Sequence, residues 1–210
     1  MVSPLPFPLT ICGIDELPSH ADAGVSHVLT ILDPGWPDPE HFARFRPHRR
    51  TIWRFHDIVN PADGQSHPTE ADIRTILDYG EALRAETVDH LLIHCHMGIS
   101  RSTATAVILM AQAGSGREAE IFTHLRAIRP FSWPNSRMIG MADAMLGLGG
   151  VLVGAMRAHH CDIARARPDM MHYLRGSERG AEVPDEEGGR TDRPNDPLPV
   201  SPSPRGNADS

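Results

Sequence analysis

The chain contains no lysine: all 20 basic residues among its 210 are arginine. Set against 27 acidic residues, they leave a formal charge of −7. The stretch from Gly176 to Ser210 holds eight acidic and four basic residues, so −4 of that charge sits there and −3 on the remainder. No basic surplus is left for nucleic-acid binding. Arginine as sole base reads as a GC-rich coding bias and points to a bacterial source. Cysteine is scarce too. Cys12, Cys95 and Cys161 are odd in number, which excludes a disulfide framework and suits a reducing cytoplasm. No apolar run reaches membrane-spanning length, and the proline-rich residues 1–10 lack the basic start of a secretory signal. No internal repeat is present. His159-His160-Cys161 invites a metal reading, but no second ligand pair at zinc-site spacing accompanies it, so neither metal nor cofactor is expected.

What is present is concentrated in one run, His94-Cys95-His96-Met97-Gly98-Ile99-Ser100-Arg101-Ser102. It follows the apolar Leu91-Leu92-Ile93 and precedes a small-residue apolar stretch, which together predict strand, tight loop, helix. A loop curling into a helix N-terminus turns backbone N–H groups inward, and the helix dipole adds a positive field. The amides of His96, Met97, Gly98, Ile99, Ser100 and Arg101 are the expected donors to a tetrahedral oxyanion. Gly98 relieves the bend, and the Arg101 guanidinium offers two oxygens a planar fork. The same field favours a thiolate at Cys95, a nucleophile in line with a bound phosphorus. Ser102 is placed to hydrogen-bond the sulfur and help it leave.

This run resembles the signature loop of the cysteine-dependent protein tyrosine phosphatase superfamily, on its compact dual-specificity-like branch. Arg129-Pro130-Phe131-Ser132-Trp133-Pro134-Asn135 is similar to that family's Arg-x-x-Pro-Asn segment. The resemblance spans about residues 9–160 and, outside these two motifs, rests on the order of elements. It implies metal-free hydrolysis of phosphate monoesters through a phosphocysteine. It also implies that His94 holds the cysteine loop by hydrogen bonding to backbone and that Asn135 orders the loop or a water.

The leaving group needs a proton donor, which the resemblance places as an aspartate after the preceding strand. Asp57 and Asp63 both fit. Asp57, which ends the run 51–56, is preferred, and Asp63-Gly64 also reads as a turn. Trp36-Pro37-Asp38 spells the acid-loop tripeptide of the larger tyrosine phosphatases. Asp38 precedes Cys95 by 57 residues with a predicted strand between, and is read as a proline-rich turn.

Periodicity predicts strands over 9–14, 25–32, 51–56 and 89–94, and helices over 69–86 (Thr69 as cap), 101–113, 118–128 after a Ser115–Glu118 capping box, and 136–159. Alternation of strand and helix around a buried strand predicts an α/β fold, a central mostly parallel sheet flanked by helices. Residues 1–175 form the expected catalytic domain; 176–210, with six prolines and five glycines, are expected to be a disordered acidic tail. Cys12 is expected as a buried small residue of the first strand, with oxidative pairing to Cys95 as the alternative. His96 faces substrate or sits at the rim. The partner is a phosphorylated protein, on phosphotyrosine or on phosphoserine or phosphothreonine, or else a small phosphomonoester. A phosphate-binding module of low turnover, and sulfur transfer or arsenate reduction, are the competing readings. The basic run 41–50 is either a cationic rim or a solvated face.

Overall fold

Val28 and Leu92 turn to one face of a sheet while Leu29, Ile31, Leu91 and Ile93 turn to the other, the two-residue period of strands buried on both sides. These strands belong to a computed structural model that describes residues 3–184 apart from Ser115 and Glu178. They are β1 (Leu9–Cys12), β2 (His27–Leu32), β3 (Arg49–Arg54) and β4 (Leu91–His94). The order is β1-β4-β2-β3 and every pairing is parallel. The register sets Cys12 and Thr30 opposite His94, and Leu32 opposite Arg54. The carboxyl ends of all four strands therefore meet at one edge, where an open α/β sheet places its ligand site.

The thicker face is covered by helices. These are α1 (Glu70–Arg84), α2 (Arg101–Ala113), α3 (Glu118–Ile128), α4 (Ser136–Met145) and α5 (Val151–Ala166). Thr69 caps α1 as expected: its hydroxyl accepts from the Asp72 N–H at 3.3 Å while the Asp72 carboxylate accepts from the Thr69 N–H at 2.8 Å. Helix α2 is central, and residues 101–111 are buried all round, which its small apolar sequence permits. The thinner face carries two 3-10 turns, Ile14–His20 and Glu40–Arg44, that bury Leu17 and Phe42 against Val28 and Leu92. The basic run thus lends Phe42 and Phe45 to the core, and Arg50 lies 4.3 Å over the Phe42 ring.

Two sequence expectations need correction. The single helix over 136–159 is two helices, broken by Gly147, Gly149 and Gly150, all at positive φ. The break is stable because the Asp143 carboxylate reaches across it, accepting from the N–H groups of Gly150 at 2.7 Å and Leu152 at 2.8 Å. The domain also runs past Arg175. After α6 (Pro168–Arg175), Val183 packs with Met171, Leu174, Ile163 and Trp133, and Arg179 is only 6% exposed. Average composition hides a short segment whose one guanidinium finds two carboxylates, Asp57 and Glu182. Residues 185–210, the rest of the expected tail, lie outside the described residues, as does Ser115 of the expected capping box. No helix among the described residues is long and apolar enough to cross a membrane.

Candidate active site

Cys95 follows β4 directly and lies at the floor of the sheet's carboxyl edge, 2% exposed, its Sγ 3.2 Å from the Ser102 hydroxyl. The loop around it is held by its carbonyls. His96 O accepts from the Ile14 N–H at 2.9 Å, and Ile99 O from the Trp133 N–H at 2.8 Å. Arg129 donates from Nη2 to Met97 O at 2.8 Å and from Nε to Gly98 O at 2.9 Å. In a trans peptide the carbonyl of one residue and the N–H of the next point opposite ways. With these four carbonyls anchored outward, the N–H groups of Met97, Gly98, Ile99 and Ser100 point into the loop's concave side, as an anion nest requires. Arg129 was named from sequence only as part of a motif. Its role emerges here, with Nη1 fixed by Glu16 at 2.8 Å.

Gly98 has φ +69, and a Cβ there would stand 2.4 Å from the carbonyl carbon of Cys12. That neighbour is backbone at the end of β1 and cannot yield. Gly98→Ala is therefore expected to destabilise the protein by about 2 kcal/mol or more and to weaken phosphate binding. Thermal melts and a phosphate titration check this, and wild-type values in both would contradict the packing argument.

Arg101, 2% exposed, is tethered on one side. Its Nη1 donates to Asp33 Oδ1 at 2.7 Å and to the Phe55 carbonyl. Its Nε is buried and has no hydrogen-bond partner, leaving the other edge of the fork for ligand oxygens. Asp33 follows β2, the sheet neighbour of β4, and so lies beside the cysteine loop. His96 turns sideways to the same turn: its Nε2 accepts from the Asp33 N–H at 3.2 Å and its ring packs edge-on to Trp36 at 4.4 Å. Burial and the nearby Arg101 draw this imidazole below its ordinary value, partly opposed by Asp33 and Asp57.

Asp57 stands across the loop. Its Oδ1 accepts from Ser100 Oγ at 2.6 Å, Asn135 Nδ2 at 3.0 Å and Arg179 Nη1 at 2.9 Å. Its Oδ2 lies 4.0 Å from Arg101 Nε. Burial alone would raise the carboxyl, but Arg179, Arg101 and the hydrogen bonds from Ser100 and Asn135 outweigh it and hold the group below the ordinary carboxylate range. Asn135 thus binds the acid candidate rather than the loop, while its Oδ1 caps α4 at the Met138 N–H. Asp63 sits in an exposed turn closed by the Gln65 N–H to Ala62 O. Asp38 pairs with Arg54 and Arg50.

His94 is fully buried, and its Nε2 lies 2.8 Å from the Thr30 hydroxyl and its Nδ1 3.4 Å from Cys95 O. Since a carbonyl only accepts, Nδ1 carries the proton and Nε2 accepts from Thr30. Burial pushes His94 down to about 4, and His159, bonded to Ser132, likewise to about 4. His160, stacked at 3.9 Å on Trp133, is driven well below its usual value by burial. These imidazoles stay neutral in the fold but protonate near 6.5 when unfolded. The unfolded chain then binds more protons between about pH 6.5 and 4. Stability is expected to be full above that window and to fall as pH drops through it. A melting temperature constant across the window would contradict this. Among the described residues, no three His, Cys, Asp or Glu side chains gather as a metal site.

Cys12, on β1 beside β4, is buried, and burial together with Glu16 pushes its thiol up to about 12. It is a packed, protonated thiol at the back of the loop.

No protein-family profile matches the chain. Among solved structures it superposes on human DUSP28 with a TM-score of 0.50 at 20% identity, covering 70% of this chain and 99% of that one. The human tyrosine phosphatase-like serine/threonine/tyrosine-interacting protein gives 0.50 at 17% identity, covering 69% of this chain and 94% of that one. The likeness shows the fold that the chain shares with these two proteins. A particular curated relative is human Protein phosphatase Slingshot homolog 3, 25% identical over 138 residues. The match takes in 64% of this chain but only 18% of that protein's length.

Proposed function

We propose that the protein is a metal-independent phosphate monoester hydrolase working through a phosphocysteine on Cys95, with phosphotyrosine in proteins as its substrate class. The loop carries this proposal: four inward amides and the unpartnered edge of Arg101 surround the space over a sulfur that Ser102 already hydrogen-bonds. The Cys95 thiolate attacks phosphorus, the bond from phosphorus to the leaving oxygen breaks, and Asp57 gives that oxygen its proton. Water then attacks phosphorus, Asp57 takes the water's proton, and the sulfur leaves with Ser102 donating to it. Asp57 rests as the carboxylate in the free protein, the form the second step uses. The negative charge of a bound phosphate beside it counters Arg179 and Arg101 and promotes the protonated form that the first step uses.

An aryl substrate is supported by the rim. Trp36 is 47% exposed against His96, and Met97 is 57% exposed on the loop itself, so an apolar wall borders the charged floor. The bacterial, cytoplasmic setting inferred from an all-arginine base set and a thiolate chemistry fits this reading. Hydrolysis of para-nitrophenyl phosphate in the presence of EDTA, followed by competition between phosphotyrosyl and phosphoseryl peptides, tests it. Turnover with preference for the phosphotyrosyl peptide is the expected result. Retained phosphate binding without turnover would make the chain a binding module instead.

A further inference from the structure

Arg179 is the second guanidinium of the site, and neither the cysteine-loop motif nor the Pro-Asn segment contains it. It arrives from the segment after α6, 79 residues beyond Ser100 and 122 beyond Asp57. Its Nη1 donates to Asp57 Oδ1 at 2.9 Å and to the Ser100 hydroxyl, so one nitrogen bridges the acid candidate and the cysteine loop. Its Nε is held by Glu182. Glu182 is fixed in turn, accepting from the Ser136 N–H at 2.8 Å and Trp133 Nε1 at 3.3 Å. A charge buried to 6% exposure persists only when paired, and this one has a carboxylate at each end.

We propose that Arg179 is a positioning residue of the active site, clamping the Asp57 carboxylate to Ser100 of the cysteine loop and governing when that carboxylate takes up a proton. The proposal rests on Asp57 acting in the phosphatase chemistry above. Three donors crowd Oδ1, which leaves Oδ2 as the oxygen free to carry a proton toward the leaving group. The charged and titratable groups around Asp57 are His96 and the nucleophile Cys95 from the cysteine loop, Arg101 at the start of α2, and Arg179, which also interacts with Cys95, with Glu182 behind it from the C-terminal segment. Asp33 compensates Arg101 from its far side. Of the two cations, Arg179 exerts the larger downward pull on Asp57, against the opposing effect of burial. The sign follows. A general acid works only while protonated, so a cation that favours its ionised form moves the basic limb of the rate profile to lower pH.

The test compares full-length wild type, Arg179→Gln and Arg179→Lys. With para-nitrophenyl phosphate, the basic limb of kcat, which reports the substrate complex, is expected to move to higher pH in Arg179→Gln and to stay near wild type in Arg179→Lys, which keeps the charge. A merely structural arginine would lower the rate in both variants without moving the limb, and coincident limbs would overturn the proposal. A carbon-13 titration of the Asp57 carboxyl, assigned by Asp57→Asn, needs no turnover. Asp57 is expected to titrate below the ordinary 3.8 in wild type and higher in Arg179→Gln; a wild-type value at or above 3.8, or one that the substitution does not move, overturns the clamp. If wild type hydrolyses no aryl phosphate, the phosphatase reading fails, while the carboxyl titration still decides what Arg179 does to Asp57.

Discussion

Cys95→Ser is expected to lose hydrolysis of para-nitrophenyl phosphate by about ten-thousand-fold or more while still binding phosphate or vanadate. The two halves of this expectation come from different atoms. Turnover needs a nucleophile that is ionised at working pH and then leaves from phosphorus. A serine hydroxyl at the same place does neither well, and Ser102, which hydrogen-bonds the sulfur at 3.2 Å, is no base to activate it. Affinity comes instead from the inward amides of residues 97–100 and from Arg101, whose positions are set by Arg129, Ile14, Trp133 and Asp33. None of those anchors touches the sulfur. Rate assays beside calorimetric titration with phosphate separate the two. A variant that keeps near-wild-type turnover would remove Cys95 from the chemistry. One that loses phosphate binding together with turnover would mean that the sulfur shapes the nest.

The cysteine loop was legible in the sequence because it is local: strand, turn and helix N-terminus are contiguous, and α2 begins at Arg101 and ends at Ala113, the bounds its periodicity predicts. Strands β1, β2 and β4 were legible for a similar reason, since each is a short, mainly apolar run, whereas β3 starts two residues before its predicted run, on Arg49 and Arg50. What escaped reading are the groups that converge from other strand ends. Asp33 reads as a turn-former until β2 is known to adjoin β4, after which its place beside Arg101 follows from register. Arg129 holds the loop through its carbonyls, an interaction with no signature beyond the arginine itself. The split between α4 and α5 was present as three closely spaced glycines, but the Asp143 carboxylate that makes the break stable acts over seven to nine residues, outside any helical repeat. Arg179 was hidden most completely. A proline- and glycine-rich acidic stretch has the composition of a tail. Only the spacing of Arg179 and Glu182, three apart as an ion pair, marks the part that packs.

Arg101→Lys is expected to cost about a hundred- to a thousand-fold in kcat/KM, although it preserves charge. The wild-type guanidinium does two jobs at once. Its Nη1 is spent on Asp33 Oδ1 at 2.7 Å and on the Phe55 carbonyl, which fix the plane of the group. The opposite edge, with Nε unpartnered and buried, is then aimed without further rearrangement at two oxygens of a phosphate. A lysine ammonium is a single point. Bound to Asp33 it is withdrawn from the phosphate, and turned toward the phosphate it strands a carboxylate beside the site and leaves the Phe55 carbonyl without its donor. The penalty should be greatest for the transition state, in which the equatorial oxygens are held by planar donors, so kcat should fall more than KM rises. Asp33→Asn provides the complementary measurement. It keeps a hydrogen-bond acceptor for Nη1 but removes the charge, so its loss should be much smaller than that of Arg101→Lys. Equal losses would place the importance of Arg101 in its ion pair with Asp33 rather than in the fork it presents to substrate.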